Sequence, residues 1–140
     1  MSLVVTMAHK ATNNDIALIY AVFPTAGEGH DACRTLLAEG LIACANRFPM
    51  VISHFRWEGE IEAKEEHPVL FKTSPAKAEA AMQRIAALHR YKVPAIVRMS
   101  NETALPAYAA WVAAETACAR TGRRSPKRYY YTSRKTPAFA

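Results

Sequence analysis

The order of apolar patterns along the chain predicts an α+β fold, a ferredoxin-like split βαβ sandwich followed by a C-terminal helix. Three observations predict it: a run at 15–24 that is apolar in both alternation phases, two helical stripes opened by Thr25 and Ser74, and strand-like runs that complete the order β-α-β-β-α-β. At 140 residues the chain suits one modest core, since single cores usually serve about 100 to 150 residues. The expected division is an extension over 1–14, a domain over 15–117 and a tail over 118–140.

From Asp15 to Pro24, Ile16, Leu18, Tyr20 and Val22 share one phase and Ala17, Ile19, Ala21 and Phe23 the other, which is the pattern of a strand buried on both faces. Thr25 then reads as an N-cap with Glu28 as its capping-box partner, Ala32, Leu36 and Leu37 as the helical stripe, and Gly40 as the C-cap. Leu41 to Phe48 is expected as a second strand, broken at Pro49 and Met50. A long third strand is expected from Val51 to Ile61, with Val51, Phe55, Trp57 and Ile61 on one face, a polar opposite face, and Gly59 as a bulge. A hairpin through Glu62 to Glu66 would lead into a fourth strand, Pro68 to Thr73. Ser74 and Pro75 open a second helix whose stripe is Ala78, Met82, Ile85 and Leu88, and Pro94 stops it by restricting the residue before it. Ala95 to Ser100 reads as the last core strand, and Leu105 to Glu115, with Pro106 at N1, as a third helix.

Charge is distributed unevenly. Seven of the 18 Lys plus Arg (Arg120, Arg123, Arg124, Lys127, Arg128, Arg134 and Lys135) follow Ala117, leaving eleven before it against all 12 acids. The net charge of +6 therefore describes the tail, and the domain is close to neutral. Cys33, Cys44 and Cys118 are odd in number and form no CxxC pair, so reduced thiols are expected. No run of about 20 apolar residues occurs, and Met1 to Asn14 lacks a secretory pattern. The reading is a soluble, cytoplasmic protein without a membrane partner.

The residues able to carry chemistry are few. Cys44 suits copper(I) as a thiolate, against the alternative of a small buried hydrophobe. His89 can ligate copper or zinc, against the alternative of a helix C-terminal histidine meeting free carbonyls. Trp57 and Tyr91 can stack on a planar ligand or pack a core or a subunit interface. Lys72 with His89 and Arg90 can form an anion-binding corner, or Lys72 can pair with Glu58, Glu60 or Glu66. No nucleophile stands beside a base in a recognisable motif and there is no glycine-rich phosphate loop, so no enzyme is expected.

Several motifs fall in a characteristic order: the strand ending in Pro24, Leu41-Ile42-Ala43-Cys44-Ala45-Asn46, Ser53 leading to Trp57-Glu58-Gly59, Glu65, Lys72-Thr73, His89 and Tyr91 with Val93-Pro94, and Tyr108 near Trp111. In these the chain resembles the CutA divalent-cation tolerance proteins from Ile16 to about Val112. The resemblance implies a ferredoxin-like protomer and a tight homotrimer with long strands pairing across subunits. It also implies a role in divalent-cation tolerance and copper homeostasis, with copper or another divalent cation as ligand and no obligatory cofactor. Some members carry a cysteine where Ala21 stands and a histidine where Leu88 stands, both copper ligands; the family's usual proline and glutamate are replaced by Arg90 and Ala95.

The site residues expected from these readings are Trp57, Lys72, His89 and Tyr91 for a ligand, and His89 with Cys44 for a metal. The alternative function is a signalling trimer that binds a small anion in an inter-subunit cleft. The basic tail, with Tyr129 to Tyr131 interleaved, could bind RNA or DNA. The preferred reading is a tail that improves solubility or docks on the acidic hairpin of a neighbouring subunit, with nucleic acid not an expected partner.

Overall fold

A computed structural model describes residues 14–117; the expected extension, Cys118 and the basic tail lie outside the described residues. Five antiparallel strands and three α-helices alternate in the order β1 (Asp15–Phe23), α1 (Ala26–Ala38), β2 (Cys44–Arg47), β3 (Val51–Trp57), β4 (Glu60–Thr73), α2 (Ala78–Leu88), β5 (Ile96–Thr103) and α3 (Pro106–Thr116). The strands lie in the order β2-β4-β1-β5, and β3 pairs with the first half of β4. The doubly apolar β1 is central, as its pattern requires, with β4 on one side and β5 on the other.

The two faces of β1 are buried by different helices. Ala17, Ile19, Ala21 and Phe23 join Val69 and Phe71 of β4 under α1 and α2, which contribute Ala32, Leu36, Ala78, Ala81 and Ile85. Phe23 and Phe71 meet edge to face at 6.3 Å. Full burial of each such large side chain contributes about 1.5–3 kcal/mol. On the opposite face α3 packs Ala109 and Val112 over Ile16 and Ala43, with Leu18, Tyr108 and Trp111 alongside. Farther along that face, Val97 and Met99 remain exposed beside Tyr20 and Leu18.

Local signals in the sequence explain the helix ends. The Thr25 hydroxyl accepts the Glu28 N–H (3.2 Å), as a capping box predicts, but the Glu28 carboxylate bonds the Thr25 hydroxyl (2.8 Å) and Arg90. Gly40, at φ +69°, ends α1 in a Schellman arrangement: its N–H reaches the Leu37 carbonyl, and Leu41 N–H reaches that of Leu36. That turn consumes Leu41, which is one reason β2 begins only at Cys44 rather than at Leu41. Ser74 occupies its expected N-cap place, yet its side chain does not cap; a short 3₁₀ turn, Pro75–Lys77, precedes α2, and the Ser74 hydroxyl bonds that of Thr116 (2.9 Å).

The main correction concerns the middle of the chain. The third strand does not run through a bulge at Gly59; it ends at Trp57, and Glu58 (φ +48°) and Gly59 (φ +84°) form a two-residue hairpin turn. Two consecutive positive φ angles match the right-handed twist of the flanking strands. The acidic stretch expected as a hairpin loop is therefore strand, and β4 runs unbroken for 14 residues. Reversal at Glu58-Gly59 also moves Ile61 off the Trp57 face: Trp57 faces Glu60 across the ladder, and Arg56 faces Ile61. β3 and residues 60–66 of β4 form a two-stranded arm, and no described strand pairs with either outer edge of it.

Two measurements follow. Gly59→Ala should destabilise the fold by about 1–2 kcal/mol in urea unfolding, wholly through backbone strain, because nothing lies within 4 Å of an added Cβ. Burial raises the Cys33 thiol to about 11, with Arg47 pulling weakly the other way. The unfolded chain then releases this proton before the folded one does, so stability should be level below about pH 9 and fall as pH rises towards 11. Cys33→Ala should remove that part of the decline.

Candidate functional site

The arm and the loop after α2 enclose a groove. It measures about 580 Å³. Its floor is one face of the β3–β4 ladder, where Ser53, Phe55 and Trp57 lie opposite Lys64, Glu62 and Glu60. Its wall is the loop bearing Tyr91, Lys92, Val93 and Ala95, and Val22 lines the end nearest the body. Trp57 is 51% exposed, which leaves its ring free for stacking.

A histidine sets the wall in place. His89 sits at the C-cap of α2, where the backbone turns extended. Its Nε2 lies 2.7 Å from the Val22 carbonyl, and its Nδ1 accepts the Tyr91 N–H at 3.1 Å. With Nδ1 accepting, Nε2 carries the proton and donates to Val22, so the ring is neutral in this arrangement. The ring also stacks on Phe23, with centroids 5.0 Å apart, and tilts against Tyr91. His89 thereby ties the loop to the end of β1 and aims Tyr91 across the groove.

Tyr91 in turn meets the arm. Lys64 Nζ donates to the Tyr91 hydroxyl at 2.6 Å, and that hydroxyl donates to Glu66 at 3.2 Å. The Tyr91 bond is the main reason the Lys64 pKa is raised. Next to this relay, Arg90 makes a two-pronged bond with Glu28 (2.9 and 2.6 Å), which lowers the Glu28 pKa, with the Thr25 hydroxyl helping. Arg90 is therefore committed to the start of α1. Among the charged groups lining the groove, Arg56, Lys64 and Lys92 outnumber Glu62 and Glu66 by one.

The expected site residues divide into two groups. Trp57 and Tyr91 line the groove, and His89 stands behind Tyr91. Lys72 does not join them. It pairs with Cys44 across β2 and β4, and its Nζ lies 6.0 Å from the Tyr108 ring centroid. Nor does an anion corner of Lys72, His89 and Arg90 form, since each group is directed elsewhere.

The metal pair is likewise not brought together. Cys44 is at the Lys72 level of the sheet, opposite Leu18, while His89 bonds Val22, four residues or roughly 13 Å along β1. Cys44 Sγ is 3.1 Å from the Tyr108 hydroxyl, and both His89 nitrogens are engaged. Burial, followed by the Cys44 contact, raises the Tyr108 pKa well above its ordinary value. Among the described residues no three His, Cys, Asp or Glu side chains gather as a metal-binding group. These donors do not fit a shared copper ion within one chain.

Lys64, Arg56 and Lys92 were not singled out from sequence, and Phe55 and Glu66 were read only as a strand-face residue and an ion-pair partner for Lys72. The signal that could have found them is the hairpin turn at Glu58-Gly59, which fixes the register and sets Lys64 opposite Ser53.

Comparison with known proteins places this geometry. The sequence model of the CutA1 divalent ion tolerance protein family matches residues 17–115. The chain belongs to the CutA family. It is 36% identical over 99 residues to the divalent-cation tolerance protein CutA of Pyrococcus horikoshii, covering 71% of this chain and 96% of that one. Its fold matches the crystal structure of divalent ion tolerance protein CutA1 from Ehrlichia chaffeensis with a TM-score of 0.72 and 33% identity, over 76% of this chain and all of the other. The structure described as a periplasmic divalent cation tolerance protein CutA from Archaeoglobus fulgidus matches at 0.69 and 31% identity, over 72% and 98% of the two chains. This is a divalent-cation tolerance protein by family.

His89→Ala should destabilise the protein by about 2–4 kcal/mol in chemical denaturation, through loss of two hydrogen bonds and a stacked ring. His89→Gln, which can restore a donor to Val22, should recover part of that loss.

Proposed function

We propose that this CutA-family protein acts without enzymatic chemistry, as a homotrimer of ferredoxin-like protomers that binds a small anionic ligand in clefts closed between subunits. The observation that carries the reading is the arm. A two-stranded ribbon is marginal by itself in water, and this one has both outer edges unpaired among the described residues. Its faces expose Ile52 (51%), Trp57 (51%) and Ile61 (76%), and the sheet body exposes Val97 and Met99. Such a surface is relieved when copies pack arm against sheet, and a cyclic assembly repeats one cleft at each interface. The sheet order β2-β4-β1-β5, with helices returning between strands, supports the ferredoxin-like description.

The ligand class follows from the groove. Trp57, Phe55 and Tyr91 offer ring surface, while Lys64, Arg56 and Lys92 offer donors to a phosphate or carboxylate. Lys64 has three N–H donors and gives one to Tyr91, so it can also reach a bound anion. Tolerance of divalent cations would then follow from sensing such a ligand, free or as its metal complex, and copper would enter as cargo rather than as an ion held by Cys44 and His89. The unpaired thiols of Cys33 and Cys44 favour a reducing compartment, the cytoplasm. No described helix is long and apolar enough to cross a membrane.

Native mass spectrometry should give three times the 15.5 kDa chain mass. A thermal-shift screen of nucleotides and carboxylates should find a stabilising ligand whose effect falls at least about tenfold in affinity with Trp57→Ala or Lys64→Gln. A monomer would remove the trimer. Uptake of one copper per chain, lost in Cys44→Ala with no anion binding, would return the function to metal ligation.

A further inference from the structure

We propose that the groove takes a guanine nucleotide, with the base laid on Phe55 and Trp57, its N–H edge at Glu62, and the phosphate at Lys64 and Lys92. The proposal rests on the anion reading of this groove and narrows it to one chemical class.

The register of the arm divides the groove along its length. On the floor, Ser53 lies opposite Lys64, Phe55 opposite Glu62 and Trp57 opposite Glu60, so each level is two residues, roughly 7 Å, from the next. Lys64 leans towards the body: its Nζ bonds the Tyr91 hydroxyl at 2.6 Å and sits 4.5 Å from the centre of that ring. Lys92, whose ammonium has no partner among the described residues, joins it on the wall. Positive charge therefore gathers at the inner level, and ring surface lies one and two levels outward. A bare phosphate or a short carboxylate fills the inner level alone. It leaves the rest of a groove of about 580 Å³, with the half-exposed Trp57 ring, uncovered. The complementary ligand is acidic at one end and flat at the other, with a spacer of about one level between them, which is the plan of a nucleotide.

Glu62 decides what the flat end must carry. It stands beside Phe55 across the ladder, with Cβ atoms about 4.5–5.5 Å apart, and its carboxylate takes no hydrogen bond or ion pair among the described residues. The other carboxylate of the groove, Glu66, already accepts the Tyr91 hydroxyl. A carboxylate only accepts hydrogen bonds. A ring laid over Phe55 displaces water from Glu62, so its edge must return N–H donors or leave that group unsatisfied. Guanine returns two neighbouring donors, its ring N–H and its exocyclic amine, and these match the two carboxylate oxygens in a bidentate pair. Hypoxanthine offers only one of the two. Adenine sets its amine beside a ring nitrogen that itself accepts, so one carboxylate oxygen faces a lone pair. The purine faces suit the two floor rings, and the groove's excess of one cation suits the phosphate.

Calorimetric titration of the full-length protein with guanosine, inosine and adenosine monophosphates tests the class, with ribose 5-phosphate as the control that lacks a base. Guanosine monophosphate should bind at least about tenfold more tightly than either other nucleotide, because each of those lacks one donor to the carboxylate. Glu62→Gln should bring it down to the inosine level, whereas Lys64→Gln should weaken all three nucleotides together. Both residues are exposed on β4, and circular dichroism checks that each variant keeps the fold. Equal affinity for the three nucleotides, or a guanine preference that survives Glu62→Gln, would overturn the assignment and leave a plain anion groove. Binding of inorganic phosphate or citrate with no added affinity from any base would do the same. Failure of every anion, phosphate and citrate included, would remove the anion reading together with this one.

Discussion

Everything in this fold hangs on the continuity of β4. Its last seven residues, 67–73, pair with β1, residues 69–72 pair with β2 on the other side, and residues 60–66 continue outward to pair only with β3. One strand therefore belongs both to the packed body and to the projecting arm. The body half is held by Val69 and Phe71, which are almost wholly buried beneath α1 and α2. The arm half inherits its direction from that anchorage, because a strand cannot slip by one residue without turning Val69 and Phe71 out of the core. The groove is a consequence: its floor is arm, and its wall is the loop that His89 ties to the same body.

This arrangement explains why the protein presents rigid chemistry on an otherwise undersupported element. His89 gives both ring nitrogens to backbone groups, Tyr91 gives its hydroxyl to Lys64 and Glu66, and Arg90 is held by Glu28. These contacts join the 89–95 loop to β1, β4 and α1, and the bond from Tyr91 N–H to His89 braces the loop internally. A groove positioned this way loses little freedom when a ligand enters, which is the condition under which a few ring and cation contacts produce useful affinity. The Cys44, Tyr108 and Lys72 group is a separate feature, set between the sheet and α3, and its contacts are those of a packed polar cluster.

Much of the fold was legible in the sequence, for local reasons. The two-phase apolar run gave β1 its central place, Thr25 and Gly40 bounded α1, and Pro106 opened α3 at its first turn. What misled was the arm. Trp57 and Ile61 share one phase of a continuous strand, so the run resembles a single strand; the two-residue hairpin inverts that phase, setting Trp57 against Glu60, and the glutamates after it look like a solvated loop. Sequence pattern records which residues can face water; it does not record whether water or another chain lies there. The site divided along the same line. Trp57 and Tyr91 announced themselves as rings amid polar residues, but Lys64 gains meaning only when register sets it against Tyr91. Lys72 and Cys44 lie on another part of the sheet, away from the groove.

The central proposal is that another copy of the chain covers the arm and so stabilises it. Amide hydrogen exchange of residues 51–66 in the full-length protein tests this most directly, with β1 as the internal reference. The account predicts that the outward-facing amides of β3 and of 60–66 exchange nearly as slowly as those of β1, far more slowly than an uncovered hairpin allows. Rapid exchange throughout the arm while β1 stays protected would contradict it, and would leave the arm a free ribbon on a self-sufficient domain.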